Sequence, residues 1–373
     1  MKQKSITYSQ SGVNYEQLDP AKKLALNAAR STAIHLKNFG FEEIQDSRGE
    51  AAFVWSQGKV LMAAVTESLG TKNLVADEMG KIEDPERSRR TYYNIIGYDS
   101  VASIVNDLSS VGAKPLVVHA FWAVGNSDWF NDIRRIKDLV NGWRKACDDA
   151  KATWGGGETP SYNNIVIKEV IALGGSSVGI IKSKKRLITE TKLREKDRII
   201  LIKSSGINAN GISLTRVLAK KLPKGYRENL PNGTLFGDAI LTKTNIYAQL
   251  IQDLLDHRIN IHYISNITGH GLRKIMLAKQ NFTYVIEKIF DPQEIFLFIQ
   301  KHANLNDYEM YQTYNMGQDY ALFIPEKDVQ KAQKIITKNK FQSINAGYVE
   351  KGKRQVIIKP KNIIYKSETL NLR

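Results

Sequence analysis

Residues 95–124 read IIGYDSVASIVNDLSSVGAKPLVVHAFWAV. Over 95–108 the apolar residues fall at helical spacing, and the stretch predicts a helix that ends before Gly112. Residues 114–124 are then strongly apolar and predict a strand. The helix carries Asn106 and Asp107 among Val101, Ala102, Ile104, Val105 and Leu108. A carboxylate in such surroundings must be paired, capped or metal-bound, because desolvating it alone is costly. A structural cap and a ligand role both remain open for Asp107 on the residues alone.

Outward from this pair, the same alternation of helix and strand continues. Upstream, 24–39 suits a helix ending near Gly40, and 53–55 with 60–65 read as two strands around the turn 56–59. Downstream, 129–151 reads as an amphipathic helix with Ile133, Ile136, Leu139, Val140 and Trp143 on one face. Strands are expected at 165–173 and 177–181. The hydrophilic run 182–197 separates this half from the next and sets the expected domains at 1–185 and 186–373. The second half restarts with a buried strand at 198–203, a loop at 204–211 and a helix at 212–221. Helices are expected at 240–257, 271–278 and 328–338, strands at 282–286 and 320–324, and a final strand with a polar tail. Both halves mix the two element types, an α/β or α+β class.

The composition agrees with two such domains. A chain of 373 residues exceeds what one hydrophobic core usually supports, and 42% apolar with 25% charged residues is ordinary for a globular protein. The one cysteine, Cys147, excludes an internal disulfide framework and a cysteine-rich zinc site. No apolar signal-like core lies in 1–10 and no run is long enough to span a bilayer, so the expectation is a cytoplasmic enzyme without membrane partners. The net charge of +16 is scattered over short basic clusters, with no zinc-finger spacing or RNA-recognition signature. We therefore expect no nucleic-acid partner, only a bias toward anionic ligands.

Four further runs carry chemistry. Val65-Thr66-Glu67-Ser68-Leu69-Gly70-Thr71-Lys72 puts a carboxylate, a hydroxyl and a lysine within six residues, a set able to hold a phosphate and its magnesium. A turn closing a hairpin has the same composition. Gly155-Gly156-Gly157-Glu158-Thr159-Pro160 lets a backbone approach a ligand, or is a plain loop before a strand; it is not a P-loop. Residues 204–211 run from a strand into a helix, where backbone N–H groups can meet an anion. Thr268-Gly269-His270-Gly271 forms a similar loop, in which a lone histidine is more often structural than catalytic.

In order and spacing, these runs resemble the aminoimidazole ribonucleotide synthetase (phosphoribosylformylglycinamidine cyclo-ligase) family over almost the whole chain. Tyr8, Gly12 and Val13 match its Tyr-x-x-x-Gly-Val start, and 66–72 its Thr-Asp-Gly-Val-Gly-Thr-Lys. Ile96, Gly97, Asp99, 105–108, Gly112, Ala113, Pro115 and Leu116 match its central stretch, and 156–159 its Gly-Gly-Glu-Thr. Residues 204–214 and 267–272 resemble its Ser-Ser-Gly-x-His-Ser-Asn-Gly-x-Ser-Leu and Leu-Thr-Gly-Gly-Gly, and 309–317 its Glu-Met-Tyr-Arg-Thr-Phe-Asn-x-Gly.

The resemblance implies a two-domain fold whose N-terminal domains pair in a homodimer through a shared β-barrel, beside a C-terminal α/β domain. It implies a ligase of purine biosynthesis that uses ATP and Mg2+ on a small phosphorylated substrate. Glu67, Asp107 and Glu158 are then the metal candidates, and Asp107 with Lys72 the catalytic ones. Gly70, Thr71, Lys72, Asp99, Asn106, Gly156, Gly157, Glu158 and Thr159 are expected, with Glu67, at the nucleotide. Ser205, Gly206, Asn208, Asn210, Gly211, Thr268, Gly269 and His270 are expected at the substrate.

The chain departs from the family pattern at Glu67 and Ser68, where the family has Asp-Gly, and at Asn208 and Asn266, where it has histidines. His270 replaces a glycine, Gln312 an arginine, and 46–50 a glycine-rich segment. These losses leave open a relative that activates a different amide, carboxylate or phosphate acceptor, or a nucleotide-binding paralogue without turnover.

Overall fold

The computed structural model describes residues 15–82 and 90–370. The helix expected at 95–108 runs as α4 (Tyr93–Ser110), and the strand after it is β4 (Lys114–Val124). Around them the first half builds α1 (Tyr15–Ser31), α2 (Ile34–Lys37), β1 (Glu42–Glu43), β2 (Phe53–Gln57), β3 (Val60–Ser68), α3 (Lys72–Gly80), α5 (Ile133–Ala150), β5 (Thr153–Glu158) and β6 (Ile171–Ile181). The six strands form a curled sheet in the order β1-β2-β3-β6-β4-β5, antiparallel except for the β4–β5 pair. Burial alternates along β3 and β6, so one face of the sheet lies under α4 and the other is open.

Close approach of α4 and α5 depends on two glycines. A Cβ on Gly97 would stand 2.3 Å from the Leu139 carbonyl oxygen, and one on Gly142 would stand 2.0 Å from that of Asn94. The helices meet there backbone to backbone, and α4 is pressed onto the sheet it carries its carboxylate across.

The second half contains β7 (Arg198–Lys203), α6 (Ile212–Ala219), α7 (Phe236–Ile240), α8 (Ala248–Asp256), β8 (Tyr263–Asn266), β9 (Phe282–Ile286), α9 (Glu294–Ala303), α10 (Asp307–Thr313), β10 (Gln318–Ile324), α11 (Val329–Lys338), β11 (Ser343–Lys351), β12 (Gln355–Ile358) and β13 (Ile363–Lys366). Its seven-stranded sheet has the order β13-β12-β9-β11-β7-β10-β8. Both faces are covered, which explains why β10 is buried at every position. Ile200, Ile202 and Leu322 pack on one side with Leu250, Leu254 and Ile336 of α8 and α11, while Ile199, Leu201 and Phe323 join the main core. Each such side chain contributes about 1.5–3 kcal/mol relative to exposure.

Several expectations are corrected. The Gly155–Gly157 run is not a loop; it lies in β5 and pairs with β4, where a Cβ on Gly157 would stand 2.1 Å from the Ala120 carbonyl oxygen. Strands expected at 165–173 and 177–181 are one strand, β6, because Gly174 and Gly175 sit within the ladder rather than break it. The helix expected at 240–257 is interrupted: 241–247 is an irregular strap between α7 and α8. The helix expected at 271–278 is a short 3-10 turn (Gly271–Met276), and α9, α10 and β11 were not foreseen. The upstream helix starts earlier and is broken near Thr32. Tyr8, Gly12 and Val13 lie outside the described residues. No helix among the described residues is long and apolar enough to cross a membrane.

Candidate active site

The face of α4 that carries Asp99, Asn106 and Asp107 meets the second half directly. Asp107, 9% exposed, accepts a hydrogen bond from Nδ2 of Asn266 at the end of β8 (2.7 Å). Opposite it, at the end of β3, stands Glu67. Burial first, then the charge of Asp107, pushes the Glu67 carboxyl up to about 7, against the pull of Lys274. Two carboxylates are thus held together in a largely dry junction with one cation facing them. The Lys274 ammonium also donates to Thr268 Oγ1, which ties the loop 268–271 to the same spot.

Glu67 also lines a cleft of about 660 Å3 at the end of β3, together with Thr66, Ser68, His119, Phe121 and Glu158. Glu158 is exposed there at the end of β5. Among the described residues no group of three or more His, Cys, Asp or Glu side chains is gathered to hold a metal. Of the expected trio, Glu67 and Asp107 form a close pair, and Glu158 lines the same cleft as Glu67. The pair itself fits a hard divalent cation, since two adjacent carboxylates repel until a proton or a cation neutralises them. Magnesium keeps several waters and takes phosphate oxygens, so two carboxylates suffice.

Other expected residues turn away from the cleft. Lys72 is fully buried and pairs with Asp99 Oδ2 (2.5 Å) while donating to the Thr242 carbonyl (2.8 Å). Asp99 Oδ1 accepts from the Thr244 N–H, and Asn106 grips the same strap through Asn245 and Tyr247, each bond 2.8 Å. Lys72, expected to hold phosphate, thus has its charge paired with Asp99 inside the junction of the two halves. Thr71 precedes α3 with its Oγ1 buried, Gly70 takes a positive φ of 75° in the turn before it, and Gly156 and Thr159 are exposed along β5 and just after it.

In the second half, Asn208 Nδ2 donates to Asp319 Oδ1 (2.5 Å), and Tyr247 OH donates to Asp319 Oδ2 (2.6 Å). Ser205 donates to the Lys243 carbonyl, so it holds the strap, and Gly206 lies beside Thr242. Asn210 is half-buried, and Gly211 leaves no room for a side chain against Tyr314. Gly269 and His270 border the Lys274 corner. His270 has a left-handed backbone (φ 72°) and its imidazole is pushed down to about 3 by burial, with Arg273 and Lys274 adding to the effect, so it is neutral. Sequence reasoning missed Lys274, His119 and Asp319. Only the lysine left a signal, one short turn after the Thr-Gly-His-Gly loop.

Residues 49–181 match the AIR synthase related protein N-terminal domain, and 194–359 match its C-terminal domain. This chain belongs to the AIR synthase related family. The resemblance drawn from the motifs is borne out. This AIR synthase family member is 32% identical over 358 residues to a phosphoribosylformylglycinamidine cyclo-ligase of Clostridium novyi, covering 95% of this chain and 99% of the relative. It is 30% identical over 341 residues to the enzyme of the same name in Methanococcoides burtonii, covering 90% and 93%. Among solved structures it shares the fold of thiamine-monophosphate kinase from Stenotrophomonas maltophilia (TM-score 0.57, 12% identity, 83% of this chain and 88% of that one). The hydrogenase maturation protein HypE in complex with ATP is similar too (TM-score 0.55, 14% identity, 82% of each chain).

Proposed function

We propose that this family member is an ATP-dependent phosphoribosylformylglycinamidine cyclo-ligase of purine biosynthesis. In that reaction the formyl amide oxygen of formylglycinamidine ribonucleotide takes the γ-phosphoryl group of ATP. An internal nitrogen then attacks the activated carbon, phosphate leaves, and the imidazole ring closes. Such chemistry needs positioned phosphates and neutralised charge more than a protein nucleophile. The observation that carries the reading is the Glu67–Asp107 pair facing Lys274 at the junction, beside the cleft with Glu158.

In this reading Glu67 and Asp107 hold magnesium, which when bound screens the phosphate charge. Asn266 fixes the orientation of the Asp107 carboxylate, and Lys274 with Thr268 faces the transferring group or the substrate phosphate. Lys72, Asp99 and Asn106 act by clamping the strap 241–247, which orients the loop 204–211 through Ser205. The open sheet face is proposed to meet a second copy of the chain.

One observation favours a second reading, a relative acting on another acceptor: Asn208, Asn266 and His270 replace family residues around the substrate loops. Phosphate release and imidazole formation, measured together with ATP, magnesium and formylglycinamidine ribonucleotide, separate the two. Stoichiometric ring closure is expected. Asp107→Asn should lower it by about 10²–10³-fold, the usual loss of one electrostatic group at a developing charge, with an unchanged circular dichroism spectrum. ATP binding without imidazole would shift the assignment to the second reading, and full activity of Asp107→Asn would remove Asp107 from the metal site.

A further inference from the structure

A second cavity, of about 590 Å3, opens where α3 and the starts of α4 and α5 meet α6 and the turn 225–227. Its wall carries Lys81, Arg90, Arg134, Arg135, Arg216 and Lys220. Four carboxylates stand beside them, of which Glu169 is exposed at the wall and three have other partners. Asp132 caps α5 by accepting from the Arg134 and Arg135 N–H groups (3.1 Å each), Asp77 accepts from Tyr93 OH (2.7 Å), and Glu78 pairs with Lys81 (2.8 Å). Arg135 is turned onto Trp129, donating to its carbonyl and lying over its ring. Among the described residues Arg90, Arg134, Arg216 and Lys220 have no carboxylate partner. Among the described lining residues the six cations outnumber the four carboxylates Asp77, Glu78, Asp132 and Glu169 by two, an excess of positive charge that favours an anion.

The cavity is preformed. Met79 of α3 sits so close to Gly237 of α7 that a Cβ there would be 2.0 Å from its sulfur, and Tyr92 OH donates to Asp238 Oδ1 (2.9 Å). These contacts fix the two halves relative to each other at the rim. The cavity is also separate from the catalytic cleft. Tyr93 lines the one, and Asp107 stands against Glu67 of the other; the two are 14 residues apart on α4, which is about 21 Å along a helix.

We propose that this cavity is a second binding site, for a small phosphate-bearing polyanion that bridges the two domains. Arginine forks from both sides suit phosphate oxygens, and the volume suits a ligand of metabolite size. Neither the cofactor nor the substrate of the ligase reaction enters the argument, so the site stands or falls apart from that assignment.

The test is calorimetric titration of the full chain with inorganic pyrophosphate, without magnesium and at fixed ionic strength. One saturable site per chain is expected. Arg216→Ala and Arg134→Ala should each weaken it at least tenfold, and so should Lys220→Ala, an exposed position whose folding is safe. Asp107→Asn and a control on α11, Lys338→Ala, should leave it unchanged. Absence of saturable binding, loss of binding in Asp107→Asn, or equal weakening by Lys338→Ala would each overturn the proposal.

Discussion

Asp319 on β10 is wholly buried, with Asn208 and Tyr247 as its two donors. Burial pushes its carboxyl up to about 7 even though both hydrogen bonds pull the other way. Asn208 stands where the resembling family has histidine, so this chain has exchanged a titratable donor for an amide against a buried acid. A carboxyl whose pKa rises on folding binds a proton in the native state that the unfolded chain has released. Its contribution is complete below the ordinary carboxylate range and is lost as pH rises toward about 7. We expect the urea midpoint of the wild type to fall between pH 5 and pH 8, and Asp319→Asn to flatten that decline. Equal slopes in the two proteins would mean that Asp319 is charged throughout.

The α4–α5 pair shows how an element carries a side chain to the site. Gly97 is not at a turn; it lies within α4, against the Leu139 carbonyl oxygen and the Trp143 nitrogen. Gly97→Ala must push the helices apart, and overpacking of this kind costs about 1–3 kcal/mol. A lower melting temperature is expected, together with a loss of turnover larger than destabilisation alone gives, because Asp107 moves with α4. Unchanged melting would show that α5 yields freely. The extents of α4 and β4 were legible because helical spacing and an apolar run are local signals. The glycine pair in β6 was misread because glycine marks both breaks and tight ladders, and only the neighbouring strand decides between them. Likewise the motif residues Glu67 and Asp107 were visible, whereas the roles of Lys72 and Lys274 were not. Lys72 finds the Thr242 carbonyl and Lys274 finds Glu67 only across the junction of the two halves, from far along the chain.

At the scale of the molecule, the two sheets solve burial differently. The second has helices on both faces, but the first leaves one face open, and much of that face is apolar. Phe53 and Trp55 of β2, Met62 and Ala64 of β3, Val117 and Phe121 of β4, and Val178 and Ile180 of β6 are only part-buried or exposed. An antiparallel sheet with a solvated face normally alternates apolar with polar residues, and a broad apolar face marks an interface. A closed two-fold pairing of the curled sheet covers the face of both copies at once. The charge of +16 does not prevent this, because none of these eight residues carries a charge. Sedimentation equilibrium should therefore give twice the 42.1 kDa of the chain. Val178→Glu combined with Met62→Glu, placed away from Glu67 and Asp107 in sequence, should give the monomer mass, since carboxylates cannot be buried unpaired at a self-facing surface. The same variant reports on catalysis: if the cleft beside β5 is completed by the partner, ring closure falls together with dimer mass, and if each chain works alone, the monomer keeps its turnover. A wild-type chain that sediments as a monomer would leave the apolar face without its second copy.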